Sequence, residues 1–150
     1  MRKALLILVA ALAAPLSHAV ARPLPVQQEK GVEGARVVAQ RWASALERRD
    51  FATAWAQFGH PPASRPAFVR WWNRYRTIRV TLDRESSDAA AGSLYYTARA
   101  RLTGLTRQGQ RYALEGPLVL RRVNDIDGAT PAQLRWHIDT ANLKAVPITP

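Results

Sequence analysis

At Thr77 the apolar residues stop recurring in steps of three and four and begin to alternate strictly, so the chain reads as helical before this point and stranded after it. Upstream, Val32 to Arg49 sets Ala35, Val38/Ala39, Trp42 and Ala45/Leu46 on one stripe of a first helix. Asp50 is the expected N-cap of a second helix, Phe51 to Phe58, with Gly59 at its C′ position. His60-Pro61-Pro62-Ala63 forces a loop. Ser64 then caps a third helix with Pro66 in its first turn, and Phe68, Trp71/Trp72 and Tyr75 form its buried stripe.

Downstream, Ile78, Val80 and Leu82 alternate with Arg79, Thr81 and Asp83, which predicts a half-buried strand, and Ser86 to Gly92 reads as a turn. Leu94 to Leu102 alternates again. The three-residue loop Arg107-Gln108-Gly109 places glycine at the left-handed position that closes such hairpins, which pairs Thr106 with Gln110. That register sets Leu102 opposite Leu114, Ala98 opposite Leu118, Tyr96 opposite Leu120 and, on the other face, Arg101 opposite Glu115. Gly116-Pro117 predicts a bulge or bend, because proline cannot donate to a ladder. After a polar loop from Asn124 to Pro131, Gln133 to Leu143 reads as a last strand, with Leu134, Trp136 and Ile138 on one face and Arg135, His137 and Asp139 on the other. Three helices followed by four strands with one apolar face make an α+β domain, a strongly bent and mostly antiparallel four-stranded sheet wrapped around the helices.

Composition bounds the rest. The chain has 150 residues, 47% of them hydrophobic and none a cysteine, which suits one domain with a core of its own and excludes disulfides, thiolate metal sites and a cysteine nucleophile. Residues 1–21 read as a signal peptide: Arg2 and Lys3 precede the apolar run Ala4 to Leu16, and Ala19-Val20-Ala21 is a small-x-small cleavage pattern. Export to a periplasm, with a mature chain starting at Arg22, is therefore expected, without a stable membrane anchor once the leader is removed. Loss of Arg2 and Lys3 takes the formal net charge from +11 to +9. Residues 22–30 form a proline-containing lead-in, residues 31–145 the domain, and residues 146–150 a tail expected to fray.

The element order, together with A-L-E-R-R-D-F-x-x-A-W from Ala45 to Trp55, resembles the nuclear transport factor 2-like superfamily, which includes ketosteroid isomerase and related hydrolases and dehydratases. The run from Leu120 to Ile138 is similar to one in small exported proteobacterial proteins of that fold. The resemblance implies a cone with an apolar pocket, which members use for small ligands or substrates, or an outer sheet face used to dimerise. In isomerase-like members a first-helix tyrosine in R-Y-x-x-A-L donates to an oxyanion. Here Arg41-Trp42-Ala43-Ser44-Ala45-Leu46 puts Trp42 at that place, and an indole N–H donates but does not titrate. No Asp or Glu matches the family's catalytic acids.

Trp42, Trp55, Trp72, Tyr75, Tyr96 and Tyr112 are the candidates for a pocket lining, weighed against a plain role in the core. Arg79, Arg99, Arg101, Arg121 and Arg135 are candidates for an anionic or protein partner on the outer sheet face, weighed against a solvated surface that resists aggregation. His137 and Asp139 fall on the face opposite Trp136 and Ile138, away from the pocket. The spacing shows no metal-ligand pattern, and no cofactor or catalytic residue is assigned. The expected function is a non-catalytic, exported binding protein for a small apolar or anionic ligand or a partner on the sheet. Nucleic acid is not expected as a partner, because export separates the two. A homodimer through the sheet face is the further arrangement considered. The alternative is a small-pocket isomerase or hydrolase using Asp83, Glu115 or Asp139 with a tyrosine.

Overall fold

The computed structural model describes residues 30–148, so the leader and most of the lead-in lie outside the described residues. Helix α1 spans Val32–Glu47, α2 Phe51–Trp55 and α3 Arg65–Trp72. Five strands follow: β1 Tyr75–Ala90, β2 Ser93–Thr106, β3 Arg111–Val123, β4 His137–Ala141 and β5 Lys144–Ala145. The sheet is antiparallel in the order β1-β2-β3-β4, with β5 also on β3, so it has five strands where four are expected from the sequence. Its apolar face and α1 close over one core that holds Trp42, Leu46, Tyr96, Leu102, Leu118, Leu120 and Ile138.

The hairpin register is as the loop and the alternation require. Leu102 faces Leu114, Ala98 faces Leu118, Tyr96 faces Leu120 and Arg101 faces Glu115. The Thr106 N–H donates to the Gln110 carbonyl at 2.8 Å, and Gly109 has a φ of 83°.

Helix α1 ends in a Schellman turn: the Asp50 N–H donates to the Ala45 carbonyl and the Arg49 N–H to that of Leu46. The left-handed position, usually glycine, is Arg49 with a φ of 61°. That conformation costs an L-residue about 1–2 kcal/mol. The Arg49 side chain offsets it by donating to the carbonyls of Tyr75 and Arg76 and to Asn73 Oδ1, and by lying over the Phe51 ring. Asp50 caps α2 as expected, accepting from the Thr53 N–H at 3.1 Å.

Elsewhere the structure corrects the sequence reading. Helix α2 stops at Trp55 because Gln57 to Gly59 leaves it to flank β4, with the Ile138 N–H donating to Gln57 and the Gly59 N–H to Ile138. Gly59 is thus no helix cap; the His137 ring occupies the space where its Cβ would stand. On α3, Phe68 and Trp72 are buried but Trp71 is 39% exposed. Ser86 to Ala90 is strand and not turn, paired from Ser86↔Thr97 to Ala90↔Ser93, and the reversal is confined to Ala91-Gly92. The last strand is shorter than expected, since residues 131–134 form a turn and only His137–Ala141 pairs along β3.

Gly116-Pro117 does not break the ladder with β2, where Arg99 faces Pro117 and Ala100 faces Gly116. The interruption is on the opposite edge. The Pro117 carbonyl accepts from Asn142, in the gap between β4 and β5, so the missing proline N–H points into that gap. A Cβ on Gly116 would overlap the Asn142 carbonyl, which is why the corner passes over a glycine. The tail does not fray at Val146, whose N–H donates to Ala113.

The free edge of β1 is covered by α1. Glu47 accepts from the Val80 N–H at 2.9 Å, and Arg36 donates to Glu85 at 2.6 Å, so the helix lies along the strand and is tied to it near both ends. At the other end of the sheet Arg122 is 4% exposed on the core face. It donates to the carbonyls of Leu134 and Lys30 at 3.0 and 3.2 Å and to Asp125 at 2.7 Å.

Three carboxylates support the fold in their charged form. Hydrogen bonds from Lys30 and Arg122 hold Asp125 below the usual carboxylate range; a hydrogen bond from Arg99 does so for Asp83, and one from Thr53 for Asp50. A depressed folded pKa contributes stability that is present in full above the unfolded value of about 3.9 and is lost as pH falls through the lower folded values. The melting temperature, followed by near-ultraviolet circular dichroism, therefore drops as pH is lowered below about 4. An unchanged melting temperature at pH 3 would overturn this reading.

Candidate functional site

The expected pocket residues do not converge on one cavity. Trp42 and Tyr96, each 1% exposed, are packed in the core between α1 and the sheet. Trp72, Tyr75 and Tyr112 form an aromatic row, with Trp72 and Tyr75 centroids 5.8 Å apart and Tyr75 and Tyr112 centroids 4.2 Å apart. Burial raises the phenol pKa of both tyrosines, and the Tyr112 hydroxyl donates to the Thr77 carbonyl at 3.0 Å. Trp55 lies apart from these, its indole N–H donating to the Ala63 carbonyl at 3.0 Å.

Trp42 is unusual within this set. Its indole N–H is buried and has no hydrogen-bond partner among the described residues, which costs about 1–3 kcal/mol of desolvation. At the rim of the core, Tyr96 lies beside the Arg36–Glu85 ion pair, to which Glu33 is also joined. Burial pushes the Tyr96 phenol up to about 12, with the Glu85 charge adding to the rise and Arg36 opposing it. This trio of phenol, carboxylate and guanidinium, on the seam between α1 and β1, is the grouping nearest to an acid–base set among the described residues, and it contains none of Asp83, Glu115 or Asp139.

The arginines of the outer face are largely engaged with the protein itself. Arg99 makes two 2.9 Å hydrogen bonds to Asp83 and reaches Glu115 at 3.3 Å, while Arg101 meets Glu115 at 2.8 Å. Two guanidinium groups and two carboxylates thus run across β1, β2 and β3 and cancel in charge, so Arg99 and Arg101 are not free cations. Arg121 donates to Ser93 Oγ at 3.0–3.1 Å and lies over the Tyr95 ring. Arg79 is exposed on β1, and Arg135 is exposed in the turn before β4 instead of within a strand.

His137 follows the buried Trp136 with its ring against Gly59 and its Nδ1 3.0 Å from the Arg135 carbonyl. Asp139 is half-buried on the same strand.

Two open hollows lie on the surface of the described residues, and neither is lined by the core residues Trp42, Leu46, Tyr96 or Leu120. One, of about 340 Å³, is lined by Arg101, Thr103, Leu105, Arg111, Tyr112 and Ile148 on the sheet beside the hairpin. The other, of about 300 Å³, lies between the α1–α2 turn and α3, against Arg49, Phe51, Val69 and Asn73. Of the six aromatic candidates only Tyr112 lines either one. The sequence reading missed Arg111 at the first hollow and the Arg36–Glu85 pair between α1 and β1. Arg111 opens β3 on the face of Glu115, so the hairpin register carried the signal for it; the second pair depends on how α1 lies on β1, which no local pattern encodes.

No family model matches the sequence, and no curated protein is similar to it at the sequence level. The fold, in contrast, has clear counterparts among solved structures. A nuclear transport factor 2-like superfamily protein from Salmonella enterica serovar Typhimurium is similar with a TM-score of 0.55 at 14% identity, over 84% of this chain and 96% of that one. A candidate dehydratase of the same family from Streptomyces avermitilis gives 0.51 at 14% identity, over 79% and 97%. A candidate scytalone dehydratase from Novosphingobium aromaticivorans gives 0.53 at 11% identity, over 75% and 81%. Helices laid against a bent antiparallel sheet, in this order and over nearly the whole of those chains, give this protein the nuclear transport factor 2-like fold.

Proposed function

We propose that the chain is an exported, non-catalytic binding protein that meets an anionic partner on the outside of its sheet, at the hollow bounded by Arg101, Thr103, Arg111 and Tyr112. The carrying observation is the placement of space and charge. The core between α1 and the sheet is filled by its own side chains, whereas the hollow on the sheet presents the Arg111 guanidinium to solvent. Arg111 is exposed and makes no ion pair among the described residues, so its planar fork is open to a carboxylate or phosphate. Export to a periplasm belongs to this reading and rests on the leader-like residues 1–21.

A titration of the isotope-labelled protein with a short oligoglutamate peptide, followed by nuclear magnetic resonance, tests the site. Shifts centred on Arg101, Thr103, Arg111 and Tyr112, abolished by Arg111→Gln, are expected. Shifts at the Trp42 indole and Tyr96 with small apolar probes, and none at the hollow, would overturn it. N-terminal sequencing of protein recovered from the periplasm is expected to begin at Arg22.

The second reading is a small-pocket isomerase, hydrolase or dehydratase. It is favoured by the Arg36–Glu85–Tyr96 grouping and by the two structurally similar chains described as candidate dehydratases. A phenol near a carboxylate could serve as donor and base if the rim opened to admit a substrate. The tight packing around Tyr96 and the exposure of Glu85 place this reading second.

A further inference from the structure

We propose that the arginine-rich end of the molecule, where the α1–α2 turn, the last turn of α3, the start of β1 and the β2–β3 hairpin meet, docks on the surface of an anionic lipid bilayer. Residues 73–76 are the hub. Arg49 donates to the carbonyls of Tyr75 and Arg76 and to Asn73, while the Arg107 side chain donates to the Asn73 carbonyl and the Arg107 N–H to the Arg74 carbonyl. These bonds gather Arg49, Arg74, Arg76 and Arg107 into one region, with Arg70 one turn back along α3.

This charge is not balanced locally. Among the described residues the ion pairs use Lys30, Arg36, Arg99, Arg101 and Arg122, and none uses an arginine of this end. Two carboxylates stand nearby, Asp50 accepting from the Thr53 N–H and Glu47 from the Val80 N–H, and neither forms an ion pair with these arginines among the described residues. Arg70, Arg74, Arg76 and Arg107 are exposed.

An exposed tryptophan stands among them. The Trp71 ring packs at steep angles against Trp72 and Tyr75, with centroids 4.6 and 5.5 Å away, and Arg74 sits over it at 5.1 Å. An amphipathic indole flanked by arginines suits the headgroup layer, where the ring is half-buried and the cations meet lipid phosphates. The same geometry disfavours nucleic acid, because Arg74 covers the ring where a base would stack. Net charge disfavours a second copy of this chain, since even the mature protein, at +9 after loss of Arg2 and Lys3, repels itself.

Co-sedimentation of the purified full chain with phosphatidylcholine vesicles, with and without phosphatidylglycerol, tests the docking. Arg2 and Lys3 of the leader also favour the anionic vesicle, so the arginine end is reported by comparing wild type with variants that keep the same leader. Anionic vesicles are expected to bind the protein strongly and to release most of it in about 0.5 M salt, where the Debye length falls to roughly 4 Å. Each arginine near the surface contributes about fivefold, so the triple change Arg70→Gln, Arg74→Gln, Arg76→Gln is expected to weaken binding about a hundredfold. Trp71→Ala is expected to remove the blue shift of tryptophan emission on binding. Arg135→Gln, in the turn before β4 and away from the hairpin, is expected to leave vesicle binding intact. Equal binding to both vesicles, or triple-variant binding equal to wild type with circular dichroism unchanged, would overturn the proposal. So would arginine-dependent binding of heparin or RNA with no preference for anionic vesicles. Should the triple variant lose structure, Arg76→Gln alone, about fivefold weaker, serves the same comparison.

Discussion

Arg122→Ala is expected to destabilise the protein by about 2–4 kcal/mol, the sum of charge-assisted hydrogen bonds lost and backbone carbonyls left underserved. The side chain is 4% exposed and reaches the Lys30 carbonyl ahead of α1, the Leu134 carbonyl in the turn before β4, and Asp125. These segments are far apart in sequence and meet at this guanidinium, aided by the Trp136 indole N–H donating to the same Lys30 carbonyl. For a domain of this size each kcal/mol moves the midpoint by roughly 3–6 °C, so a fall of about 10 °C or more is expected on thermal melting. Arg122→Lys should recover little, because an ammonium lacks the fork that spans three acceptors. A midpoint within about 1 °C of wild type would remove Arg122 from its organising place.

Trp42→Ala is expected to cost about 3–5 kcal/mol, as large-to-small changes at fully buried aromatic sites do. The 1% exposed ring stands at the centre of the core. Trp42→Phe should cost far less. Phenylalanine keeps most of the aromatic body and removes an indole N–H that has no partner among the described residues, relieving about 1–3 kcal/mol of desolvation. Urea titrations of the two variants separate these contributions. If Trp42→Phe were as damaging as Trp42→Ala, the indole N–H would have an acceptor after all.

Much of the architecture was legible from residues close in sequence. The β2–β3 register followed from one glycine in a three-residue loop and from unbroken alternation on both sides, and it carried the Arg101–Glu115 pair with it. The same register places Leu94 opposite Arg122, and so implies a guanidinium on the core face. That signal is masked because Arg121 and Arg122 adjoin and a strand arginine usually points to water. Trp71 and Trp72 present a related ambiguity, since neighbours on a helix point about 100° apart and only one can face the core.

Other features depend on contacts that no local pattern encodes. The Ser86 to Ala90 half of β1 has no side chain in the core, so its alternation carries no hydrophobic signal. Missing that pairing also hid the Asp83–Arg99 contact, which neutralises the Arg99 and Arg101 part of the outer face. The early end of α2 is set by Ile138, some eighty residues away. The space inside the cone depends on how large aromatic side chains from α1, α3 and β2 interlock, and a list of aromatic residues does not fix that.

The lengthwise seat of α1 on β1 has a consequence for handling the protein at high concentration. Glu47 and Arg36 act as two buttons along a seam. If the helix peels away first on warming, the strand beneath it offers unmet backbone donors and acceptors to any neighbouring molecule. The earliest loss on storage would then be stacking of otherwise native sheets into oligomers, and a covalent link between helix and strand should slow it more than a gain in core stability would.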